Sequence, residues 1–265
     1  MYSTTYHRAS SVADAVKLLK KAEDGKFVSG GMTLIPAMKT RLAAPSDLVD
    51  LRHVAELKGI KISGRTVTIG AGTTHAEVVA HEKLAALCPA ICRLAAHIGD
   101  PHVRHMGTIG GSVANNDPAA DYPAACLALG ATIVTQHREI AADDFFLGLF
   151  ETALEEGEII TAVRFPFCEA SAYEKFRNPA SRFALAGVFV ARRDDAVRVG
   201  VTGAGSDGVF RWEEGERALA QNHSLERIAP PAADAMLSDI HARGDYRAHL
   251  VKVLAQRAYD ACDAG

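Results

Sequence analysis

Apolar residues in the N-terminal part of the chain recur with two periods, and each period predicts a different element. Between Val12 and Leu19 they return every three or four positions, which predicts an amphipathic helix that Ser10 or Ser11 caps. Apolar and polar residues alternate between Leu57 and Gly72, which predicts a hairpin. Further local signals are strands at 26–28 and 47–51, a hairpin turn at Ser63–Gly64 and a capping box of Thr74 and Glu77.

Two glycine pairs interrupt this pattern, each just before a segment with helical periodicity. Gly110 and Gly111 lie in the stretch from Gly107 to Asp121, and a helix is predicted to follow from about Ala119 to Gly130. Since glycine has no Cβ, we expect this pair to turn at positive φ and to present its amide N–H groups outward as donors for an anion. Phosphate is the anion that such loops favour.

The second pair, Gly30 and Gly31, follows the strand at residues 26–28 and precedes another helical turn. Taken alone, the pair Gly110–Gly111 is better explained by a tight turn, and the pair Gly30–Gly31 is about as well explained by a simple connection as by a phosphate site. Two such loops, about eighty residues apart, suit a cofactor with two phosphates that lies between two subdomains. The chemistry would then belong to the cofactor, because the sequence has no nucleophile motif.

Two other patterns are interpreted as structural. The run Gly203–Gly208 matches a dinucleotide-binding fingerprint, but β-prone residues follow it, so we predict a hairpin turn. His97, His102 and His105 stand near Asp100 without the spacing of a metal site, and we interpret them as solvated loop residues. No metal is assigned to the chain.

Composition limits the class of protein. The chain has 265 residues, 48% hydrophobic residues and a formal net charge of −3, which is typical of a globular protein of one or two domains without affinity for nucleic acid. No segment is apolar enough to serve as a signal core or to span a bilayer, so we expect a cytoplasmic protein. The five cysteines lack the spacing of an iron–sulfur ligand set.

Four segments together resemble the FAD-binding medium subunit of molybdenum hydroxylases, the family of the carbon monoxide dehydrogenase flavoprotein and the flavin domain of xanthine dehydrogenase. These segments are SGGMTLIPAMKTRLAAPSDLVDL, IGDPHVRHMGTIGGSVANNDPAADYPAACLALGA, GEIITAVRFPF and YEKFRNPASRFALAGV. The resemblance extends from Thr4 to about Leu254.

The resemblance implies an α+β fold. Residues 1–167 would form an FAD-binding domain of the vanillyl-alcohol-oxidase type, with subdomains at about 1–58 and 59–167. Residues 172–265 would form a small C-terminal domain with a three-stranded antiparallel sheet. The strands would lie at 184–191, 198–202 and 208–212, and helices near 213–221, 230–242 and 246–262.

The resemblance also implies the residues that bind FAD. The first loop, with Thr33 facing the pyrophosphate, would be Val28, Ser29, Gly30, Gly31, Met32, Thr33 and Leu34; the second would supply Thr108, Gly110, Gly111 and Ser112. Asn116 and Asp121 would lie near the ribose and adenine. Ile98, Gly99, Val103 and Ile160 would supply apolar or backbone contacts, and Lys175 would lie near the isoalloxazine ring. The chain departs from the family at Met32, often a polar residue, and at Phe183, often a tyrosine that covers the ring.

The function that the resemblance implies is electron relay. FAD would take electrons from the 2Fe-2S clusters of a small partner subunit and pass them to an external acceptor, while a large molybdenum subunit oxidises the substrate. Two alternatives remain open at the level of sequence. One is a self-contained FAD-dependent oxidase or dehydrogenase that acts on a small alcohol, and the other is a flavin-binding protein without turnover.

Overall fold

A computed structural model describes residues 1–193 and 196–262. The helices are α1 Val12–Leu19, α2 Leu34–Lys39, α3 His75–Ala80, α4 Glu82–Leu87, α5 Pro89–Ala96, α6 Pro101–Met106, α7 Ile109–Asn115, α8 Tyr122–Leu129, α9 Ala142–Phe145, α10 Glu213–Asn222 and α11 Gly244–Cys262. The strands are β1 Thr5–Arg8, β2 Gly25–Val28, β3 Asp47–Asp50, β4 Ile60–Ser63, β5 Thr66–Gly70, β6 Thr132–Thr135, β7 Glu139–Ala141, β8 Phe146–Gly148, β9 Glu151–Thr152, β10 Ile160–Pro166, β11 Ala170–Arg177, β12 Ala184–Arg193, β13 Ala196–Thr202 and β14 Phe210–Arg211.

The strands of the described residues form four sheets. Strands β1, β3 and β2 make a parallel sheet in that order, and β4, β5, β10, β6 and β7 make an antiparallel one. A second antiparallel sheet has the order β11, β12, β13, β14, and β8 pairs with β9 as a small hairpin. The fold is therefore a mixture of helices and sheets, as the sequence indicates.

Local signals account for several boundaries. Ser11 accepts a hydrogen bond from the Asp14 amide at the start of α1, and Thr74 and Glu77 form the expected capping box at the start of α3. The β4–β5 hairpin turns at Gly64, whose φ of +54° is the left-handed conformation that glycine adopts at low cost.

Helix α8 lies between the two antiparallel sheets and is buried at every position. It has no polar face because sheet residues cover it on opposite sides. Gly200 of β13 allows the close approach, since a Cβ there would stand 2.1 Å from the Ala124 carbonyl oxygen. Strand β12 is buried from Ala184 to Ala191 for the same reason: one face packs toward α8 and the other toward α11.

The C-terminal region differs from the sequence expectation in two ways. The sheet that starts at β11 has four strands rather than three, because β11 pairs along its length with β12. The helix expected near 230–242 is absent from the described residues there, where only Ala233–Ala235 forms a 3-10 turn. Met236 instead bridges to Gly205, and the Leu237 amide donates to the Ala204 carbonyl, so the backbone is extended there.

Other expectations for this region are confirmed. Strands β13 and β14 pair across the Gly203–Gly208 run, which is a hairpin connection as predicted. The helices expected near 213–221 and 246–262 are α10 and α11. Residues 194, 195 and 263–265 of the expected C-terminal domain lie outside the described residues.

Candidate functional site

A cavity of about 780 Å³ lies between the parallel sheet, the β4–β10 sheet and the loop that joins β11 to β12. Its volume falls within the roughly 300–1,000 Å³ typical of small-molecule sites. The cavity brings together nearly all residues that the sequence analysis selects. Those that line it are Val28, Ser29, Gly30, Gly31, Met32, Thr33, Leu34, Ile98, Gly99, Val103, Thr108, Gly110, Gly111, Ser112, Asp121, Ile160, Lys175 and Phe183.

The loop from Ser29 to Leu34, here named the first glycine loop, lines this cavity and has unpaired backbone donors. No described residue accepts a hydrogen bond from any backbone amide of this loop. Gly31 has a φ of +71°, which turns the chain between strand β2 and helix α2. Consecutive amides without an internal acceptor are the donors that an anion site requires, and anion binding by this loop stays a prediction.

The stretch from Gly107 to Ser112, here named the second glycine loop, is different. Gly110 and Gly111 form the first turn of α7, and neither has positive φ, so that expectation is wrong. The Gly110 amide donates to the Ala71 carbonyl at 2.9 Å, and the Gly111 amide donates to Thr108 Oγ1 at 3.1 Å. These amides are therefore already bonded within the protein and are not free to bind an anion.

The two glycine loops touch each other. Ser29 Oγ and Thr108 Oγ1 are 2.9 Å apart, at hydrogen-bond distance. Gly30 packs directly on the second loop, since a Cβ at Gly30 would stand 2.2 Å from the Met106 carbonyl oxygen and 2.7 Å from Gly107 Cα. The second loop thus supports the first and adds wall surface to the cavity.

Two residues that line the cavity form a buried ion pair. Lys175 Nζ is 2.8 Å from Asp121 Oδ1 and 3.0 Å from Oδ2, and it donates to the His97 carbonyl oxygen at 3.1 Å. The Tyr173 hydroxyl donates to the same Asp121 carboxylate. Burial raises the pKa of the Asp121 carboxyl, while Lys175 and the Tyr173 hydroxyl act in the opposite direction.

The resemblance places these two residues at different parts of the cofactor, Asp121 near the ribose and adenine and Lys175 near the isoalloxazine ring. The structure brings their side chains into direct contact, so both would lie beside the same part of a bound ligand. The Lys175 side chain is 1% exposed.

Two histidines near the cavity are held neutral by burial. Burial lowers the pKa of His75, which lines the cavity, to about 4, and nearby Arg104 adds to the effect. Burial also lowers the pKa of His97 to about 4, and the charges of Arg177, Lys175 and Arg104 add to this effect. Nδ1 of both rings is buried without a hydrogen-bond partner among the described residues.

The expectation of solvated loop histidines holds only in part. His97 ends α5, and its Nδ1 is buried. His102 and His105 are exposed, but they lie on helix α6 rather than in a loop. Within residues 1–193 and 196–262, no group of three or more His, Cys, Asp or Glu side chains could hold a metal ion.

Asn116 does not line the cavity, which corrects its expected place beside the cofactor. It ends α7 in the left-handed conformation, and its Nδ2 donates to the carbonyls of Gly148 and Glu151 at 2.8 and 2.9 Å. Its side chain therefore holds the β8–β9 hairpin. The residue has a structural role that its position next to a glycine-rich stretch did not reveal.

The β11–β12 connection brings Phe183 to the cavity. Asn178 Oδ1 accepts hydrogen bonds from the amides of Ala180 and Ser181, and the Asn178 amide donates to the Phe183 carbonyl. This bonding holds the loop in one conformation while the Phe183 side chain stays 51% exposed. An exposed aromatic ring at the edge of a cavity is well placed to cover a planar ligand.

Sequence reasoning missed several residues of the site. Tyr173 could have been found, because residues two apart on a strand share a face and Lys175 was already selected. His75, Ala71 and Arg182 carry no local signal, since the fold alone brings them to the cavity. No helix in the described part of the chain is long and apolar enough to cross a membrane.

Comparisons with known proteins agree with this geometry. The family model described as FAD binding domain in molybdopterin dehydrogenase matches residues 2–168. The chain is 38% identical to the carbon monoxide dehydrogenase medium chain of Afipia carboxidovorans, over 99% of this chain and 97% of that one. It is 34% identical to the nicotine 6-hydroxylase medium subunit of Paenarthrobacter nicotinovorans, over 95% and 94% of the two chains.

A solved structure has the same fold over the whole chain. A chain in the crystal structure of the Cu,Mo-CO dehydrogenase in its cyanide-inactivated form superposes with a TM-score of 0.91 at 36% identity, covering 100% of this chain and 98% of that chain. The chain belongs to the family of FAD binding domains in molybdopterin dehydrogenases.

Proposed function

We propose that the cavity binds FAD and that the first glycine loop binds its pyrophosphate. The observation that carries this proposal is the row of backbone amides from Ser29 to Leu34 that have no acceptor among the described residues and line a cavity of about 780 Å³. Ser29, Gly30, Gly31 and Leu34 are buried or half-buried, and an amide without a partner is costly there, so an anionic ligand would stabilise this loop. His75 Nδ1 is a further buried atom without a partner at this cavity.

The remaining residues would hold the rest of the cofactor. Ser112 and Thr33 line the cavity with hydroxyls that make no side-chain hydrogen bond to a described residue, so both can bond to a ligand. Ile98, Val103 and Ile160 supply apolar wall, and Phe183 would cover the ring at the edge. We retain every expected cofactor-binding residue except Asn116. When bound, FAD would supply the capacity to accept electrons and pass them on.

We further propose that the chain is the electron-transfer subunit of a molybdenum hydroxylase. Its relatives of similar identity are medium subunits of enzymes named for carbon monoxide and for nicotine. Since similar chains are subunits of enzymes with such different substrates, another subunit would bind and oxidise the substrate. The proposed partners are a large molybdenum subunit and a small iron–sulfur subunit. An external acceptor would take the electrons from FAD, and the complex would lie in the cytoplasm.

The finer description of the fold is part of this proposal. Residues 1–167 would be a vanillyl-alcohol-oxidase-type domain, with subdomains at about 1–58 and 59–167, and residues 172–265 a second domain. The separate parallel sheet of β1–β3 and the separate hydrophobic cluster around β12, β13 and α11 support this division. Limited proteolysis that cuts near residue 170 and leaves two stable fragments would test the main boundary.

Titration of the apoprotein with FAD and FMN tests the cofactor. Both ligands carry the isoalloxazine ring, but only FAD has a pyrophosphate and an adenosine. We expect FAD to bind at least about a hundredfold more tightly, because the amides of the first glycine loop would otherwise stay unpaired. Equal affinities would remove the pyrophosphate from the proposal.

Purification of the tagged chain from its native host tests the relay. We expect one smaller iron–sulfur and one much larger molybdenum polypeptide to copurify, and substrate to bleach the flavin only in that complex. Bleaching by substrate in the isolated chain would instead favour the self-contained oxidase. FAD binding without copurifying partners and without reduction would favour the flavin-binding protein that has no turnover.

A further inference from the structure

The ion pair of Asp121 and Lys175 at the cavity has a third member, Tyr173. Tyr173 and Lys175 lie two residues apart on β11, so their side chains share the face that meets the start of α8. Both bond to the carboxylate of Asp121, Tyr173 through its hydroxyl and Lys175 through Nζ. Tyr173 and Asp121 are each 4% exposed, so solvent does not compete for these bonds.

Asp121 has no other role in the described structure. It precedes α8, yet its side chain makes no capping hydrogen bond to that helix. Burial keeps the Tyr173 hydroxyl protonated, because it raises the pKa of Tyr173 well above its usual range. The hydroxyl is therefore a permanent donor, and it fixes the carboxylate in front of the lysine.

The charge that the ion pair presents to the cavity follows from the same contacts. A buried lysine alone would present a full positive charge to a ligand in the cavity. Paired with a carboxylate at 2.8 Å, the ammonium and its partner together are close to neutral. The exposed Arg177, which also acts on Asp121, is partly screened by solvent.

We propose that Tyr173 is a positioning residue that holds Asp121 against Lys175, and that the resulting neutral pair limits the electron affinity of bound FAD. The inference rests on the proposed function, since it requires FAD in this cavity with its isoalloxazine ring beside Lys175. Without the carboxylate, the lysine charge would favour the added negative charge of reduced FAD. With the carboxylate in place, most of that preference is cancelled.

The test measures the midpoint potential of the FAD-loaded chain, the Kd for oxidised FAD and the thermal unfolding temperature. Asp121→Asn keeps the shape and removes the negative charge. We expect it to change the ratio of the Kd values for oxidised and reduced FAD at least about tenfold in favour of reduced FAD, which is a rise in potential of ~30 mV for two electrons. Tyr173→Phe should move the potential in the same direction by a smaller amount, because Asp121 loses a donor that stabilises its charged form.

Two further variants make the test specific. The double variant Asp121→Asn with Lys175→Gln replaces one neutral pair by another, so its potential should return close to that of the wild type although the ion pair is gone. Glu174→Gln removes the same charge from the neighbouring residue, whose side chain points to the opposite face of β11, and should leave the potential unchanged.

The outcomes separate the possible failures. A wild-type potential in both Asp121→Asn and Tyr173→Phe, with only a lower unfolding temperature, would show that the network is structural and overturn the inference while the cofactor proposal stands. An equal shift in Glu174→Gln would overturn it as well, since any nearby charge would then suffice. No FAD binding by the wild-type chain would overturn the proposed function and this inference together.

Discussion

The two glycine loops share a sequence pattern, a glycine pair before a helix, but they differ in structure. In the first, the backbone amides have no acceptor among the described residues, and Gly31 adopts positive φ. In the second, the amides of Gly110 and Gly111 are bonded, and both glycines are helical. A glycine pair before a helix therefore indicates either a ligand site or a close packing contact, and only the partners of the amides distinguish them.

The difference has a physical origin in what lies next to each loop. The second loop runs beside the end of β5, where the Ala71 and Thr73 carbonyls accept from the Gly110 and Ile109 amides. Gly110 is glycine because a Cβ would stand 2.5 Å from the Ala71 Cβ. The amides of the first loop have no such acceptor among the described residues, so its donors remain available. One loop offers the donors, and the other holds the first in place.

The largest expected effect is that of Gly30→Ala, which disrupts the packing between the two glycine loops. The new Cβ would stand 2.2 Å from the Met106 carbonyl oxygen, and a backbone atom cannot move aside as a side chain can. We expect the free energy of unfolding to fall by about 3 kcal/mol and FAD binding to be lost. Denaturant unfolding and FAD titration measure the two effects.

Gly64→Ala is the matched control for Gly30→Ala. It changes glycine to alanine in a hairpin turn, with nothing within 4 Å of the new Cβ but a φ of +54°. Its cost should be about 1 kcal/mol from the left-handed conformation alone, with FAD affinity unchanged. If Gly30→Ala behaves like this control, the two loops do not depend on each other.

A second prediction concerns the dependence of stability on pH. The second glycine loop contacts His75, whose ring is buried and neutral. The His75 amide donates to the Gly107 carbonyl, and burial lowers the pKa of its ring from 6.5 to about 4. Between pH 6.5 and about 4, His75 binds a proton in the unfolded chain but not in the folded chain. The stabilising contribution is thus complete above pH 6.5 and is lost as the pH falls toward 4, at up to ~1.4 kcal/mol per pH unit.

Unfolding of His75→Gln between pH 4 and 7.5 checks this prediction. Glutamine does not titrate, so the slope of stability against pH should be smaller than in the wild type. The exposed His137 offers the control, and His137→Gln should keep the wild-type slope. Identical slopes in all three proteins would mean that the pKa of His75 is the same in the folded and the unfolded chain.

A third prediction tests the hydrogen bond between the loops. Ser29→Ala removes the partner 2.9 Å from Thr108 Oγ1, and Thr108 is 5% exposed. We expect a loss of about 1 kcal/mol in the free energy of unfolding. Ser112→Ala is the control, because its hydroxyl lines the same cavity without a hydrogen-bond partner among the described residues. A stability loss as large in Ser112→Ala would show that the Ser29–Thr108 bond contributes nothing of its own.

The sequence predicts what local signals determine. The capping box at Thr74 and the turn at Gly64 are both found, and all but one of the expected site residues line the cavity. The position in the cavity follows from the resemblance, because homologous chains fold alike. The contact between Asp121 and Lys175 was missed, since it joins residues far apart in sequence.

What could not be predicted depends on neighbours that only the fold supplies. The bonded state of the Gly110 amide requires Ala71, which stands on another element. The absence of a helix near 230–242 follows from the pairing of Met236 with Gly205 and from Asp239, whose carboxylate accepts from the amides of His241 and Ala242. Ala71 and Gly205 lie far along the chain from their partners, so a local window of sequence does not show them, whereas the turn at Asp239 is local.

The smallest expected effect is that of Gly111→Ala, and it separates the two loops most sharply. The sequence alone suggests that a Cβ here would expel the pyrophosphate. In the structure Gly111 is helical, its amide is already bonded to Thr108, and the added Cβ would stand 3.0 Å from Thr108 Oγ1 and 3.9 Å from Ser29 Cβ. Alanine also favours a helix by ~1 kcal/mol over glycine, which offsets the tight contact.

We therefore expect Gly111→Ala to change the free energy of unfolding by less than about 0.5 kcal/mol and FAD affinity by less than about tenfold. Gly110→Ala, its neighbour in the same turn, should destabilise the fold by about 1–3 kcal/mol, because its Cβ would stand 2.7 Å from the Ala71 carbonyl oxygen. A hundredfold loss of FAD affinity in Gly111→Ala, with the fold intact, would place the pyrophosphate against the second glycine loop and reverse the roles assigned to the two.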